Sequence, residues 1–285
     1  MDDGAQASSA PEPGRPVALS ARVVRITAPN PGLMTGPGTN TYLVGTADLV
    51  VVDPGPDHPA HLDAVVDAGA GRIRSVVVTH THADHAPGAA TLAARTGAEL
   101  VGFSERDGFV PGRTVGDGAE IGAGDATLRA VHTPGHASNH LCWLLVEERM
   151  LFSGDHVMQG STVVIRPPDG DMAQYLASLH RLLTLDPPLA TIAPGHGSLL
   201  TEPERVVRGI VDHRHERESA VAAALARAGR ATVDELVPAV YHDVRDELLP
   251  VARFSLWAHL RKLDDDGRAR GEDPADITAP WTAAL

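Results

Sequence analysis

The stretch Thr79-His80-Thr81-His82-Ala83-Asp84-His85 follows directly on a mainly apolar segment from Ile73 to Val78. That segment is rich in β-branched residues, which predicts a central strand buried on both faces. His80 and His82 leave an extended segment on the same side, so both imidazoles can reach one metal ion. Asp84 and His85 follow where the chain turns into a predicted helix, and they can point at a second ion. Three His and one Asp within six positions therefore predict a metal site at the end of this strand.

Three later loops carry the same kinds of residue, and each follows a predicted strand. Thr133-Pro134-Gly135-His136 presents His136 at the tip of a tight turn. Ser153-Gly154-Asp155 supplies a carboxylate whose two oxygens can bridge two divalent ions. Ala193-Pro194-Gly195-His196-Gly197 repeats the Pro-Gly-His pattern. One such loop is a weak signal, whereas all four in this order predict a site for two metal ions.

The rest of the chain predicts strands alternating with helices and several hairpins, which is typical of a layered α/β fold. After about residue 200 the pattern becomes helical. A long charged helix is predicted from Val206 to about Ala228, a second helix opens at Thr232 with a capping box, and a third runs from about Val251 to Leu263. These helices, a turn and a short extension predict a small, mainly α winged-helix module. We expect a disordered leader at 1–16, a catalytic domain at 17–205, the module at 206–273 and a tail at 274–285.

The composition disfavours nucleic-acid binding through a basic or aromatic surface, and it disfavours a membrane protein. The 285 residues carry a formal net charge of −13, which disfavours a basic grip on duplex DNA. Aromatic residues make up 4%, which disfavours extended stacking platforms for single-stranded nucleic acid. No run of ~18 apolar residues could span a bilayer, and the first residues lack the basic start and apolar stretch of a signal peptide. The sequence therefore predicts a cytoplasmic protein without membrane association.

Taken together, the four loops resemble the metallo-β-lactamase fold superfamily, with its His-x-His-x-Asp-His motif and its later His, Asp and His. The resemblance spans roughly residues 20–200 and implies an αββα sandwich with the metal site at one edge of two sheets. Carried over position by position, it implies one ion bound by His80, His82 and His136, a second bound by Asp84, His85 and His196, and Asp155 bridging the two. Zinc is the expected metal, and manganese or iron would also fit these ligands.

Departures from individual branches of the superfamily narrow the function. Lactamases of this fold that bind two zinc ions usually carry Cys where this chain has Asp155, which disfavours antibiotic hydrolysis. His82 disfavours the di-iron flavoprotein branch, which has Glu there. The segment TGPGTNTYLVG, residues 35–45, resembles the opening loop and strand of the β-lactamase-like protein 2 subfamily, which also carries a C-terminal winged-helix-like domain. That resemblance implies metal-dependent cleavage of single-stranded RNA.

The expected chemistry is hydrolysis, because two ions ~3.5–4 Å apart can share a water and lower its pKa toward ~7. Asp84 would be both a ligand and an acceptor that orients the resulting hydroxide toward a phosphodiester. His140 and His156 neighbour ligand loops and are candidates for the general acid, with an ordinary surface histidine as the alternative. Asp53, at a strand end, could hold a ligand histidine in one tautomer, or serve only a structural turn.

Among three candidate functions, the sequence favours the first, cleavage of single-stranded RNA, because the Gly-rich loop and the C-terminal module resemble the nuclease-like subfamily. The second is hydrolysis of a small ester, thioester or lactone, as in the glyoxalase II-like branch, which shares the ligand set. The third is a winged-helix regulator with a vestigial metal site, which would predict lost ligands and a basic recognition helix. All seven ligand positions are intact here, and the predicted third helix is mixed in charge.

The role of the C-terminal module is also open. It could guide an RNA substrate, cover the active-site cleft or mediate self-association as a homodimer. Arg253, Arg261 and Lys262 on its third predicted helix could contact phosphates, although Arg on a helix surface is usually only solvated. The module carries nearly equal numbers of basic and acidic residues, which favours a role as a lid or an interaction surface.

Overall fold

The computed structural model describes residues 11–160 and 162–284, which divide into two compact units. The first unit comprises Met1–His132, Asn139–Ser161 and Asp186–Pro203. The second comprises Thr133–Ser138, Thr162–Leu185 and Glu204–Leu285. The predicted boundary near residue 205 is thus close to the last division, but two earlier segments also group with the C-terminal helices.

The first unit contains twelve strands and two helices within the described residues. They are β1 (Val17–Ala18), β2 (Val23–Thr27), β3 (Asn40–Val44), β4 (Leu49–Val52), α1 (Pro59–Gly69), β5 (Ile73–Val77), α2 (Gly88–Thr96), β6 (Glu99–Gly102), β7 (Arg113–Thr114), β8 (Glu120–Ala123), β9 (Ala126–His132), β10 (Leu141–Leu145), β11 (Met150–Gly154) and β12 (Thr191–Pro194). The predicted strand at 73–78 and the predicted helix at 87–96 are both present.

These strands form two sheets. The first sheet has the order β1-β2-β3-β4-β5-β6-β7, antiparallel up to β4 and parallel from β4 to β7. The second has the order β12-β11-β10-β9-β8, in which only β11 and β12 run parallel. Because parallel strands end at the same edge, the residues after β11 and β12 come together, and Gly195 N donates to Gly154 O at 2.8 Å.

The core of this unit lies on both faces of the first sheet, as the alternation of side chains along a strand requires. Val52 and Val77 join Trp143 and Phe152 of the second sheet in one buried cluster. On the other face, side chains of the first sheet pack with α1 and α2; this cluster includes Val51, Val76, Leu62 and Leu92. β5 is therefore buried on both faces, as its run of β-branched residues predicts.

Residues 1–10 of the predicted leader lie outside the described residues. Regular backbone pairing begins before residue 17, inside the predicted leader. Pro13 forms a bridge with Thr27, and Gly14 N donates to Thr27 O at 2.8 Å. The edge of the first sheet offers backbone partners to this segment. The leader prediction is therefore corrected at residues 13 and 14.

The second unit is mainly helical. It contains α3 (Met172–Leu182), α4 (Pro203–Ala228), β13 (Arg230–Ala231), α5 (Val233–Val240), α6 (Leu249–Asp265), β14 (Ala269–Gly271) and β15 (Trp281–Ala283). The predicted capping box is present at α5, where Thr232 Oγ1 accepts from Glu235 N and Glu235 Oε2 accepts from Thr232 N. α5 and α6 pack around Leu236, Leu256 and Leu260 in one buried cluster.

The predicted tail at 274–285 is wrong for residues 281–283, which form β15 between β13 and β14. Trp281 has no exposed surface and belongs to the core of the second unit. Burial of this indole holds the segment in the sheet. No helix in the described ranges is long and apolar enough to cross a membrane.

Candidate metal centre

The predicted ligand loop brings two imidazoles close together at the end of β5. His80 Nε2 and His82 Nδ1 lie 2.9 Å apart, and their rings meet edge to face with centroids 4.4 Å apart. Ligand atoms of His80, His82 and Asp155 all lie within 4.8 Å of one another. These three predicted ligands of the first unit thus belong to one group that could hold a metal ion.

A second group combines Asp84, His85, Asp155 and His196, whose ligand atoms also lie within 4.8 Å of one another. His85 Nε2 and His196 Nε2 each lie 3.3 Å from Asp155 Oδ1. His196 Nε2 lies 3.3 Å from Asp84 Oδ2. Asp155 belongs to both groups, which is the arrangement that a bridging carboxylate requires.

Asp53 lies outside both groups and accepts hydrogen bonds from His85 and Thr79. Its Oδ2 accepts from His85 Nδ1 at 2.8 Å and from Thr79 Oγ1 at 2.7 Å, and its Oδ1 accepts from Thr79 N at 2.6 Å. A proton on Nδ1 leaves the lone pair of His85 on Nε2, which is directed at the cluster. Thr79 Oγ1 in turn lies 3.1 Å from His80 Nδ1. One carboxylate therefore aligns a histidine of each group.

The backbone at Asp53 is strained. Its φ is 50°, a left-handed conformation that costs a non-glycine residue free energy unless its surroundings compensate. Asp53 is 2% exposed, and both of its oxygens accept hydrogen bonds. Such a buried, fully engaged carboxylate fits the ligand-holding alternative for Asp53 rather than a turn alone.

The Gly-rich loop before β3 supports His196. Gly38 O accepts from His196 Nδ1 at 3.2 Å, so the lone pair of this ring also lies on Nε2. Asn40 Nδ2 donates to Pro194 O at 3.0 Å and to Gly197 O at 2.9 Å. The loop that the sequence singled out is thus bound to the loop that carries a ligand.

The carboxylates of the second group favour protonation of its histidines, and a metal ion would displace the Nε2 proton of each ring on binding. Burial alone would lower the pKa of His85, but the carboxylates of Asp84, Asp155 and Asp53 raise it well above its usual value. Burial likewise opposes protonation of His196, yet Asp155 and Asp84 raise its pKa to about 9. Burial would raise the pKa of Asp155, but His85 and His196 hold it well below its usual range.

The donor set fits divalent metal ions. Nε2 of His85 and Nε2 of His196 are buried and complete no hydrogen bond. A buried ring nitrogen without a hydrogen bond is costly in a folded protein. Both atoms face carboxylate oxygens that an ion would bind together with them. Imidazole and carboxylate donors suit zinc, manganese and iron alike, so the cluster does not identify the metal.

His136 belongs to the second unit and is half-buried there. Its Nδ1 donates to Val164 O at 2.9 Å. This bond selects the tautomer whose Nε2 carries a lone pair, the form that binds a metal ion.

His140 and His156 are fully buried rather than surface histidines. The His140 ring lies 5.0 Å from the His80 ring and 5.9 Å from the His156 ring, centroid to centroid. A general acid must come within hydrogen-bond reach of the leaving group. Full burial gives neither side chain an open face toward a substrate, so their assignment as general acids stays a prediction that this geometry disfavours.

Sequence reasoning missed the residues that hold the first ligand loop. Thr81 Oγ1 donates to Asp107 Oδ2 at 2.6 Å and accepts from Asn139 Nδ2 at 2.9 Å. Thr79 links Asp53 to His80. Its role was missed although it directly precedes the motif. Threonines beside ligands were the available signal, but their partners lie 26 and 58 residues away, where no local pattern indicates them.

Comparisons with known proteins agree with this geometry. A family model of the Metallo-beta-lactamase superfamily matches residues 34–196, and one of the Beta-lactamase associated winged helix domain matches residues 232–277. The chain therefore belongs to the metallo-beta-lactamase superfamily of hydrolases and carries the winged-helix domain associated with it.

Relatives match along most of the chain. The Beta-lactamase-like protein 2 homolog of Drosophila melanogaster is 31% identical over 284 residues, covering 90% of this chain and 93% of that protein. The atrochrysone carboxyl ACP thioesterase of Aspergillus fumigatus is 34% identical over 256 residues, covering 84% and 79% respectively. A solved Beta-lactamase domain protein from Burkholderia ambifaria is similar in fold, with a TM-score of 0.82 and 22% identity over 98% of this chain and 96% of that one.

Proposed function

We propose that this hydrolase uses two divalent metal ions, most simply zinc, to cleave a small thioester or ester. His80, His82 and His136 would hold one ion, Asp84, His85 and His196 would hold the other, and Asp155 would bind both. When bound, such ions polarise a carbonyl oxygen and acidify water. Cleavage of single-stranded RNA, which the sequence favoured, is the alternative.

The observation that carries the proposal is the position of the exposed apolar side chains. Leu33, Met34 and Val110 are the exposed large hydrophobic residues of the described chain, at 51%, 49% and 58%. Leu33 and Met34 lie at the tip of the loop whose Gly38 accepts from His196. Val110 lies three positions after Asp107, which binds Thr81 of the ligand motif. Apolar groups on loops tied to the metal ligands suit an acyl substrate.

The distribution of aromatic side chains argues against RNA. The three Trp, three Tyr and four Phe residues all lie in the described ranges, and none of them is exposed. Proteins that hold single strands stack bases on aromatic faces along a positively charged groove. The net charge of −13 also opposes phosphate binding. The name of the Aspergillus fumigatus relative, a thioesterase, gives the thioester proposal independent support.

Leaving-group chemistry fits the same substrate. A thiol has a pKa of about 8–9, so a thiolate leaves without the general acid that an alkoxide needs. The burial of His140 and His156 is then no obstacle. Asp84 has the most open side chain of the second group, 27% exposed, and its pKa is lowered because His85 outweighs the effect of burial. We assign Asp84 as the acceptor that orients the attacking water.

The test compares an acyl-N-acetylcysteamine thioester, a lactone and a fluorescent single-stranded RNA, using metal-loaded protein. Asp155→Asn should lower thioester turnover at least about 100-fold, because both groups share this carboxylate. Asp57→Asn, a change at an exposed carboxylate, serves as the control. RNA cleavage that disappears in Asp155→Asn, without thioester turnover, would reverse the proposal. A lack of turnover of all three substrates would reject both the thioester or ester proposal and the RNA alternative.

A further inference from the structure

We infer that α4 and α6 of the second unit position His136, acting through the irregular segment 162–166. The inference rests on the proposed role of His136 as a metal ligand. It assigns the C-terminal helices a positioning role toward one proposed ligand, His136, which lies in the same unit. Every contact in the argument lies within the second unit.

The segment 162–166 forms no strand or helix, so its buried backbone groups must find partners elsewhere. Two of the partners are side chains of the C-terminal helices. Arg214 Nη2, from α4, donates to Val163 O. Ser255 Oγ, from α6, accepts from Ile165 N at 3.2 Å. The segment is thus held on both sides of Val164.

Val164 O is the acceptor that orients the His136 ring, at 2.9 Å from Nδ1. A shift of the segment would move this carbonyl and release the ring. Outer partners of this kind fix both the tautomer and the direction of a ligand imidazole. The two anchors at Val163 and Ile165 therefore determine where His136 Nε2 points.

Arg214 is an unusual anchor because it is charged and buried. It is 2% exposed and forms no ion pair within the described part of the chain. Its guanidinium lies 5.3 Å from the Tyr175 ring centroid. An apolar side chain could fill the same space without the cost of burying a charge. What Arg214 adds is the donor to Val163 O.

The backbone of the His136 loop is held separately, by α3 and its N-cap residue Asp171. Ser178 Oγ donates to Pro134 O at 2.8 Å, and Asp171 N donates to Gly135 O at 2.8 Å. A Cβ at Gly135 would collide with the backbone of Tyr175, so only glycine allows this approach. Loss of Arg214 or Ser255 should therefore free the ring of His136 while its loop stays in place.

The experiment titrates the metal-free full chain with Zn²⁺ against a chromophoric chelator, which resolves two equivalents without any activity assay. Arg214→Met and Ser255→Ala should each weaken one equivalent by about tenfold or more and leave the other unchanged. Ser255→Thr, which keeps the hydroxyl, should bind both equivalents with the wild-type affinity. Arg208→Met is the matched control, since Arg208 lies on α4 but is exposed and pairs with Glu204.

His136→Ala separates this inference from the proposed function. If it keeps both equivalents, the ligand assignment is wrong. If it loses one equivalent while Arg214→Met and Ser255→Ala bind like Arg208→Met, the positioning role is overturned. Equal weakening of both equivalents would indicate a general loss of structure and would also overturn it. Circular dichroism checks folding, and if Arg214→Met is unfolded, Ser255→Ala decides alone.

Discussion

Asp53 accepts three hydrogen bonds in a backbone conformation that disfavours most side chains. Its cost in conformational free energy is of order 1–3 kcal/mol. The same carboxylate aligns His85 directly and reaches His80 through Thr79. At the scale of single residues, this strained position beside the candidate ligands leads us to propose that Asp53 orients them.

Asp53→Asn should weaken the second metal equivalent by about 10–100-fold. Asn tolerates the left-handed backbone, so the change removes charge and an acceptor without adding strain. An amide nitrogen in the place of Oδ2 cannot accept from His85 Nδ1. Chelator competition measures the effect, with Asp57→Asn as control. Unchanged affinity would show that Asp53 serves only the turn.

His259 in α6 is a second informative residue. It is fully buried, and neither ring nitrogen forms a hydrogen bond. Burial lowers the pKa of His259 well below its usual value, and Arg214, Lys262, His213 and His215 add to that effect. In the unfolded chain its pKa returns to about 6.5. The unfolded state therefore binds more protons below that pH.

The stability contributed by neutral His259 should be complete above pH ~6.5 and fall as the pH drops toward the folded-state pKa. His259→Leu should make the slope of unfolding free energy between pH ~6.5 and ~5 shallower, by at most about 1.4 kcal/mol per pH unit. Urea unfolding at several pH values measures this slope. His242→Leu, at an exposed position, keeps the metal site and should keep the wild-type slope. An identical slope in both variants would contradict the prediction.

Among the structural elements, the loop before β3 is stiff despite its glycines. Gly32 and Gly36 exchange two backbone hydrogen bonds, of 3.1 and 2.8 Å. Asn30 bonds the side chain and the backbone N of Thr39, each at 2.9 Å. Its tip therefore keeps a defined position relative to His196. A stiff apolar tip can contact substrate without a large ordering cost.

Replacing Leu33 and Met34 together by Ser should lower kcat/KM for an octanoyl thioester by about 10–100-fold, since burying one large apolar side chain is worth about 1.5–3 kcal/mol. An acetyl thioester lacks the long apolar chain that the tip would contact and should be hydrolysed at the wild-type rate. Steady-state kinetics on both substrates checks the difference. An equal loss on both would show that the loop acts on the centre itself and not on the acyl chain.

At the scale of the whole molecule, each of the two units has its own buried core. In the second unit the core is completed from residues near the end of the described chain. β15 pairs with β13 and β14, and Trp281 is one of the largest fully buried side chains. A segment that composition assigns to a tail is thus part of the winged-helix core.

Trp281→Ala should lower the unfolding free energy of the second unit by about 3–5 kcal/mol, because it removes a large buried side chain and leaves a cavity. Trp281→Phe should cost less. Urea unfolding followed by circular dichroism measures both. A loss below about 1 kcal/mol for the Ala variant would mean that β15 contributes little to the core.

Local sequence patterns predicted most residues of the two candidate metal-binding groups, and most of the element types. Each predicted ligand lies in a short motif directly after a strand, and chain geometry alone places such residues at a strand end. The capping box at Thr232 similarly marks the start of α5. Six of the seven predicted ligands lie in the first unit, where they form the two groups around Asp155.

Only the tertiary structure decided what supports those ligands. Asp53 meets Thr79 and His85 across 26 and 32 residues, and Arg214 meets Val163 across 51. The burial of His140, His156 and Trp281 likewise comes from elements distant in the chain. Periodicity and turn chemistry describe neighbours within a few positions, whereas burial and hydrogen-bond partners depend on which distant segments pack together.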